Sequence, residues 1–109
     1  MRRGDIVTVA LQGDLGKPRP AVIVETDRLS PTDFVIICPG TSELRGGVEH
    51  RRVHVEPDAD NGLKLPTQFQ VDKITVTRRD KCRQVIGRLS DEEMDRLNVA
   101  LALVIGLAD

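Results

Sequence analysis

Up to about position 77 the chain alternates short apolar runs with turn-forming residues; beyond position 89 a three-and-four spacing takes over. Residues 5–11, Asp-Ile-Val-Thr-Val-Ala-Leu, are β-branched and follow a glycine, which predicts a first strand. Ala21-Val22-Ile23-Val24 predicts a second, buried one, and residues 33–38 a third and most apolar one. The third runs into Pro39-Gly40-Thr41-Ser42, which predicts a Pro-Gly turn presenting two hydroxyls. A fourth lies near the end of residues 45–56. Alternation there sets Arg52, His54 and Glu56 on one side, Val53 and Val55 on the other. Residues 68–77 predict a fifth, with Phe69, Val71, Lys73 and Thr75 opposing Gln70, Asp72, Ile74 and Val76. Its alternation falters after Asp72, where a bulge or a change of burial is expected. Residues 12–16, 27–33 and 57–66 carry the turn chemistry between these runs.

The clearest element is the last. Ser90-Asp91-Glu92-Glu93 has the spacing of a capping box, and Leu89 and Met94 fit its hydrophobic staple. Met94, Leu97, Leu101 and Val104 then mark one face, and Gly106 is placed to end the helix. Residues 99–105 are apolar nearly all round, more than one sheet face needs, which points to a dimer interface. Five short strands and one helix in 109 residues predict a single domain over 1–109, a small, mainly antiparallel β-barrel with a C-terminal helix.

Composition narrows what such a barrel can do. Phe34 and Phe69 are the only aromatics, so RNA or DNA cannot be held on a multi-aromatic stacking platform. The net charge of −1 supplies no global pull on nucleic acid, but the charges are segregated. Five cations stand against Asp80 between Arg78 and Arg88, whereas five anions stand against Arg96 between Ser90 and Asp109. A basic strip beside an acidic helix presents a positive groove despite the balanced total. Cys38 and Cys82 are too few and too far apart for a disulfide scaffold or zinc site. No signal-peptide h-region or membrane-length apolar run occurs, so the expected address is a reducing cytoplasm.

Arg19 is the candidate around which the chemistry gathers. Pro18 and Pro20 flank it at the mouth of the second strand and hold Lys17 and Arg19 extended. A guanidinium presented with so little freedom suits an anion, phosphate above all. Asp14 and Lys17 lie close to it in the preceding loop, and Thr41 and Ser42 follow the third strand. Asp72 is a carboxylate on a partly buried strand face. His50 and His54, four apart, lack a third ligand for a metal, and Asp58-x-Asp60-x-Gly62 lacks the spacing and distal Glu of a calcium loop. No metal or other cofactor is expected.

Five segments in register resemble the MazF/PemK toxin family: Arg3-Gly4-Asp5-Ile6-Val7, residues 17–24, Cys38-Pro39-Gly40-Thr41-Ser42, Val71-Asp72-Lys73-Ile74 and residues 86–94. The resemblance spans essentially the whole chain. It implies a homodimeric SH3-like barrel of the CcdB/MazF type, the toxin of a type II toxin–antitoxin pair. The implied activity is metal-independent, sequence-specific cleavage of single-stranded RNA by 2′-OH attack, leaving 2′,3′-cyclic phosphate and 5′-OH ends. By position, Arg19 matches the family's catalytic arginine and Thr41 its active-site threonine. Asp14, Lys17, Ser42, Arg51, Gln70 and Asp72 are the expected RNA contacts, and a cognate antitoxin with an extended or helical, acidic tail is expected to cover the groove around Arg19 and Arg51.

The chain departs from better-known members in a shorter first loop, in Gly13 where some have histidine, and in Gln70 where some have arginine. These changes bear on cut-site preference and on the general base, for which Asp14, Asp72 and His50 are all candidates. Two other readings compete. A CcdB-like gyrase poison shares the barrel but carries a C-terminal Trp that this chain lacks. A non-catalytic RNA- or protein-binding barrel would keep Lys17 and Arg19 without needing Thr41.

Overall fold

The computed structural model describes residues 1–10 and 17–109. Its strands are β1 (Asp5–Val9), β2 (Arg19–Ile23), β3 (Phe34–Thr41), β4 (Arg52–Val55), β5 (Thr67–Gln70), β6 (Thr75–Arg78) and β7 (Cys82–Arg88), followed by helix α1 (Asp91–Val104). Among the described residues all strand pairings are antiparallel, in the order β4-β5-β3-β2-β1-β7, with β6 off this path and paired to the first half of β3. The fold is mainly antiparallel sheet with one C-terminal helix, but the order runs from β4 to β7 without those two pairing. "Barrel" therefore describes its curvature and not a closed ring.

Among the described residues seven strands replace the five expected. The run at 68–77 is two strands, because Val71–Lys73 forms a turn of 3₁₀ helix where the alternation falters. β7 lies inside the basic strip; Arg83, Gln84 and Val85 are exposed along it, as suits a charged edge strand. Pro39-Gly40 is not a turn. Pro39 pairs with Ala21 of β2, and Gly40 pairs with Phe69 of β5. Pro has no N–H to give a ladder, so this is where β3 can exchange one neighbour for the other. Gly40 is required there by packing, since a Cβ would stand 2.8 Å from Thr67 Cγ2. Arg52, which alternation sets on the side of His54 and Glu56, is buried.

Apolar residues cover both sheet faces. Ile6, Val22, Cys38, Phe69 and Leu97 belong to one cluster with the helix, and Val7, Val9, Ala21, Ile23, Val35 and Ile37 form the other. The capping box forms as expected, with Ser90 Oγ accepting from Glu93 N and Glu93 Oε1 accepting from Ser90 N. Leu97 and Ala100 are the buried helix residues, and Gly106 adopts φ +80 past the helix end. Among the described residues no helix is long and apolar enough to cross a membrane.

Burial first, and then the negative charge of Asp72, pushes the Cys38 thiol up to about 12. Its folded state thus keeps a proton that an unfolded chain releases above the ordinary value of 9.0. Stability from this group is fully present below 9.0 and falls as pH rises toward 12. The urea midpoint should fall across that range, and Cys38→Val should flatten the fall. In native protein at about pH 8, a thiol reagent should modify the partly exposed Cys82 and spare Cys38.

Candidate active site

The β2/β3 ladder runs from Ile23 opposite Ile37 to Ala21 opposite Pro39. Beyond the last of these pairs, Arg19 begins β2 opposite Val9 of β1 and Thr41 ends β3 opposite Gln68 of β5, so both stand at one end of the β2/β3 ribbon. Arg19 is the exposed first residue of β2, and Thr41 is the half-buried last residue of β3. The flanking prolines hold the β2 entrance, so the guanidinium projects from a backbone with little freedom to lose.

Beside this end lies a cleft of about 570 Å³, lined on one side by Arg19, Gly40 and Ser42 and on others by Thr8, Gln84 and Lys64. Among the described residues its lining has two cations, Arg19 and Lys64, and no carboxylate. Among the described residues no carboxylate lies within ion-pair distance of Arg19. A guanidinium held toward solvent with donor side chains around it is equipped for phosphate oxygens. Thr41 Oγ1 accepts from Glu43 N at 3.0 Å, which occupies one lone pair and leaves its O–H to donate.

The remaining expected residues separate into groups. Lys17 is exposed next to Pro18 on the cleft rim, whereas Asp14 lies outside the described residues. Arg51, Gln70 and Asp72 do not line the cleft. Gln70 ends β5 opposite Arg52, and Asp72 pairs with Arg51 at 3.7 Å, both side chains about one-third exposed. His50 is exposed. His54 has its ring nitrogens engaged, Nδ1 at 3.3 Å from Gln68 Nε2 and Nε2 at 3.0 Å from Glu56 Oε1. Among the described residues no three His, Cys, Asp or Glu side chains gather as a metal site would require. In the 57–66 loop, Asp58 Oδ1 instead accepts from the N–H groups of Asp60 and Asn61, which is turn chemistry.

Sequence patterns passed over the far wall of the cleft. Lys64 sits in a loop that reads only as a turn, and Gln84 on an edge strand hidden among charges. What brings them to Arg19 is close packing. Gly62, at φ +68, and Gly87 let the loop lie against β7, where a Cβ would meet backbone atoms at 2.0 and 2.3 Å respectively. Asn61, fully buried, holds the loop by accepting from Asp58 N and Leu63 N and donating to Glu56 O.

The fold is thus an open antiparallel sheet ending in a capped helix, with a guanidinium that has no carboxylate partner among the described residues and a hydroxyl at one strand end. Residues 2–105 match the family described as PemK-like, MazF-like toxin of type II toxin–antitoxin system, and the chain belongs to that family. It is 36% identical over 109 residues to the probable endoribonuclease MazF of Mycolicibacterium smegmatis, with 99% of each chain covered. It is 26% identical to endoribonuclease EndoA of Bacillus subtilis, covering all of this chain and 97% of that one. Among solved structures it is similar to an endoribonuclease in complex with its cognate antitoxin from mycobacterial species, at TM-score 0.80 and 24% identity, covering 98% and 96% of the two chains. The toxin MazF-mt6 of Mycobacterium tuberculosis is also similar, at TM-score 0.78 and 24% identity, covering 94% and 96%. The activity class is accordingly that of a toxin–antitoxin endoribonuclease.

Proposed function

We propose that the chain cuts single-stranded RNA at the Arg19 end of this cleft by intramolecular transesterification. A bond forms from the ribose 2′-oxygen to phosphorus and the bond from phosphorus to the 5′-oxygen breaks. The 2′-OH gives its proton to a base, and the 5′-oxygen is protonated as it leaves. The products are a 2′,3′-cyclic phosphate and a 5′-OH. Arg19 neutralises charge building on the phosphoryl oxygens, the largest contribution open to a site without a metal. Thr41 donates its hydroxyl to one of those oxygens, and Ser42, Lys17 and Lys64 fix the neighbouring backbone. The Arg51–Asp72 pair and Gln70, outside the cleft, serve RNA contacts further along the strand.

The observation that carries this reading is the cleft itself, whose described lining is cationic and free of carboxylates, with Arg19 on it and Thr41 between two of its lining residues, Gly40 and Ser42. Its partners follow from its surface. Lys17, Arg19 and Lys64 suit an acidic antitoxin tail laid over the cleft. Leu103, Ile105 and Leu107, 49%, 50% and 77% exposed, suit burial against a second copy in a homodimer. The protein would work in the cytoplasm, where RNA and antitoxin are made.

Incubation with a mixed single-stranded RNA in EDTA, followed by end mapping, tests the proposal. Selective cuts with cyclic phosphate and 5′-OH ends are expected. Intact RNA at high protein concentration would refute it and return attention to gyrase or to simple binding.

A further inference from the structure

The loop that follows Thr41 is held by two buried side chains, Gln68 and Arg52, that do not line the cleft. Gln68, 5% exposed, sits opposite Thr41 in the β3/β5 ladder. Its neighbour Thr67 lines the cleft, whereas Gln68 lines a separate hollow of about 330 Å³ between β4 and α1. From there it grips the main chain of Arg45 twice. Gln68 Oε1 accepts from Arg45 N at 3.1 Å, and Gln68 Nε2 donates to Arg45 O at 3.0 Å. Arg52, 8% exposed, donates through Nη1 to Glu43 O at 3.0 Å and to Gln68 Oε1 at 2.9 Å.

The amide orientation is settled by its neighbours, because a backbone N–H and a guanidinium N–H both require an oxygen. His54 Nδ1, accepting from Gln68 Nε2, supports the same orientation from the other side. Glu43 is thereby fixed at both ends, its C=O by Arg52 and its N–H by Thr41 Oγ1. The loop has little else to keep it in place. It contains Gly46 and Gly47, around which a Cβ would meet nothing within 4 Å.

Arg52 is costly as a purely structural tether. Among the described residues its guanidinium hydrogen-bonds neutral partners only, Glu49 and Asp95 line the same hollow but lie beyond ion-pair distance, and its Nε has no hydrogen-bond partner. A buried charge without a countercharge lowers stability, and an apolar side chain of similar volume is often at least as stable there. Stabilising the fold is thus a weak reason for its presence, and the loop it holds is the stronger one.

We infer that Gln68 and Arg52 are positioning residues for the Thr41 hydroxyl. By clamping residues 43–45 they keep Glu43 N on the Thr41 oxygen, so that the remaining O–H points to the phosphate. This rests on the reading of Thr41 as the phosphate donor, and the experiment separates the two. Cleavage of a single-stranded RNA oligonucleotide in EDTA is measured for wild type, Thr41→Ala, Gln68→Leu, Arg52→Met and the two double variants with Thr41→Ala. Gln68→Leu and Arg52→Met are each expected to lower kcat by ~10- to 100-fold with KM nearly unchanged, the scale of a small misplacement of a reacting group. In the Thr41→Ala background neither should cost more than about a further 2-fold, because groups acting as one unit are non-additive. Arg52→Lys, which keeps one donor, should recover part of the loss.

Thermal unfolding separates position from folding. Arg52→Met should lower kcat while its Tm stays within a few degrees of wild type. If Gln68→Leu fails to fold, the Arg52→Met cycle decides. Additive losses in the two backgrounds, or kcat unchanged in Arg52→Met, would overturn the inference while leaving the nuclease reading intact. Wild-type activity retained in Thr41→Ala would overturn the role of Thr41 and the inference with it.

Discussion

Arg19→Ala is expected to lower single-turnover cleavage of RNA in EDTA by ~10²-fold or more, the scale seen when one preorganised donor to a developing oxyanion is removed. The side chain is exposed at the start of β2 and has no carboxylate partner among the described residues, so the fold should not register its loss. Tm should stay within a degree or two, which distinguishes this variant from one that merely unfolds. Arg19→Lys keeps the charge but loses the planar fork that matches two phosphate oxygens, so it should recover only part of the rate. Lys17→Ala, one proline away, should act mainly on KM and on the salt dependence of binding. Full activity in Arg19→Ala would remove the centre of the proposed mechanism.

The second large effect is expected from a residue with no chemistry. Gly62→Ala sets a Cβ 2.0 Å from the Ile86 carbonyl oxygen, at a φ of +68 that L-residues rarely adopt. Neither conflict is relieved by turning a side chain, because the obstacle is the backbone of β7. The loop must lift from the strand, which disturbs the fully buried Asn61 and its bonds to Asp58, Leu63 and Glu56. A loss of ~3 kcal/mol is expected, the upper range for a single substitution with a named steric cause. At roughly 4–8 °C per kcal/mol for a small domain, Tm should fall by more than about 10 °C. Lys64 and Gln84 would separate as well, so RNA affinity should fall even at temperatures where the variant stays folded. An unchanged melting curve would mean that the loop packs differently against β7.

Local interactions made part of this legible in advance. The helix cap involves Ser90 and Glu93 alone, three residues apart, so its spacing carries the information. Arg19 stands out as a candidate because two prolines constrain a cation from either side, and Thr41 because its segment resembles a known family. Other features depend on partners distant in the chain. Arg52 reads as one more cation on a basic strand. Only the arrival of Glu43 and Gln68 explains how it is accommodated away from water. β7 was hidden because an edge strand does not need alternating apolar residues. Pro39-Gly40 has the chemistry of a turn, and only the sheet shows that β3 uses it to change neighbours. The break after Asp72 was visible as a fault in the pattern, but not as a 3₁₀ turn separating two strands.

The pairing of β1 with β7 has a consequence in time. The cleft takes Arg19 and Thr8 from the first fifth of the chain but Gln84 and Ile86 from the last third. A ribosome making the protein exposes Arg19 and Thr41 long before the strand that completes the wall beside them. Pairings between such distant segments are also slow to form. A growing or truncated chain therefore carries the cationic end of the site without its opposite side. The two-sided cleft exists only when synthesis of that molecule is nearly finished.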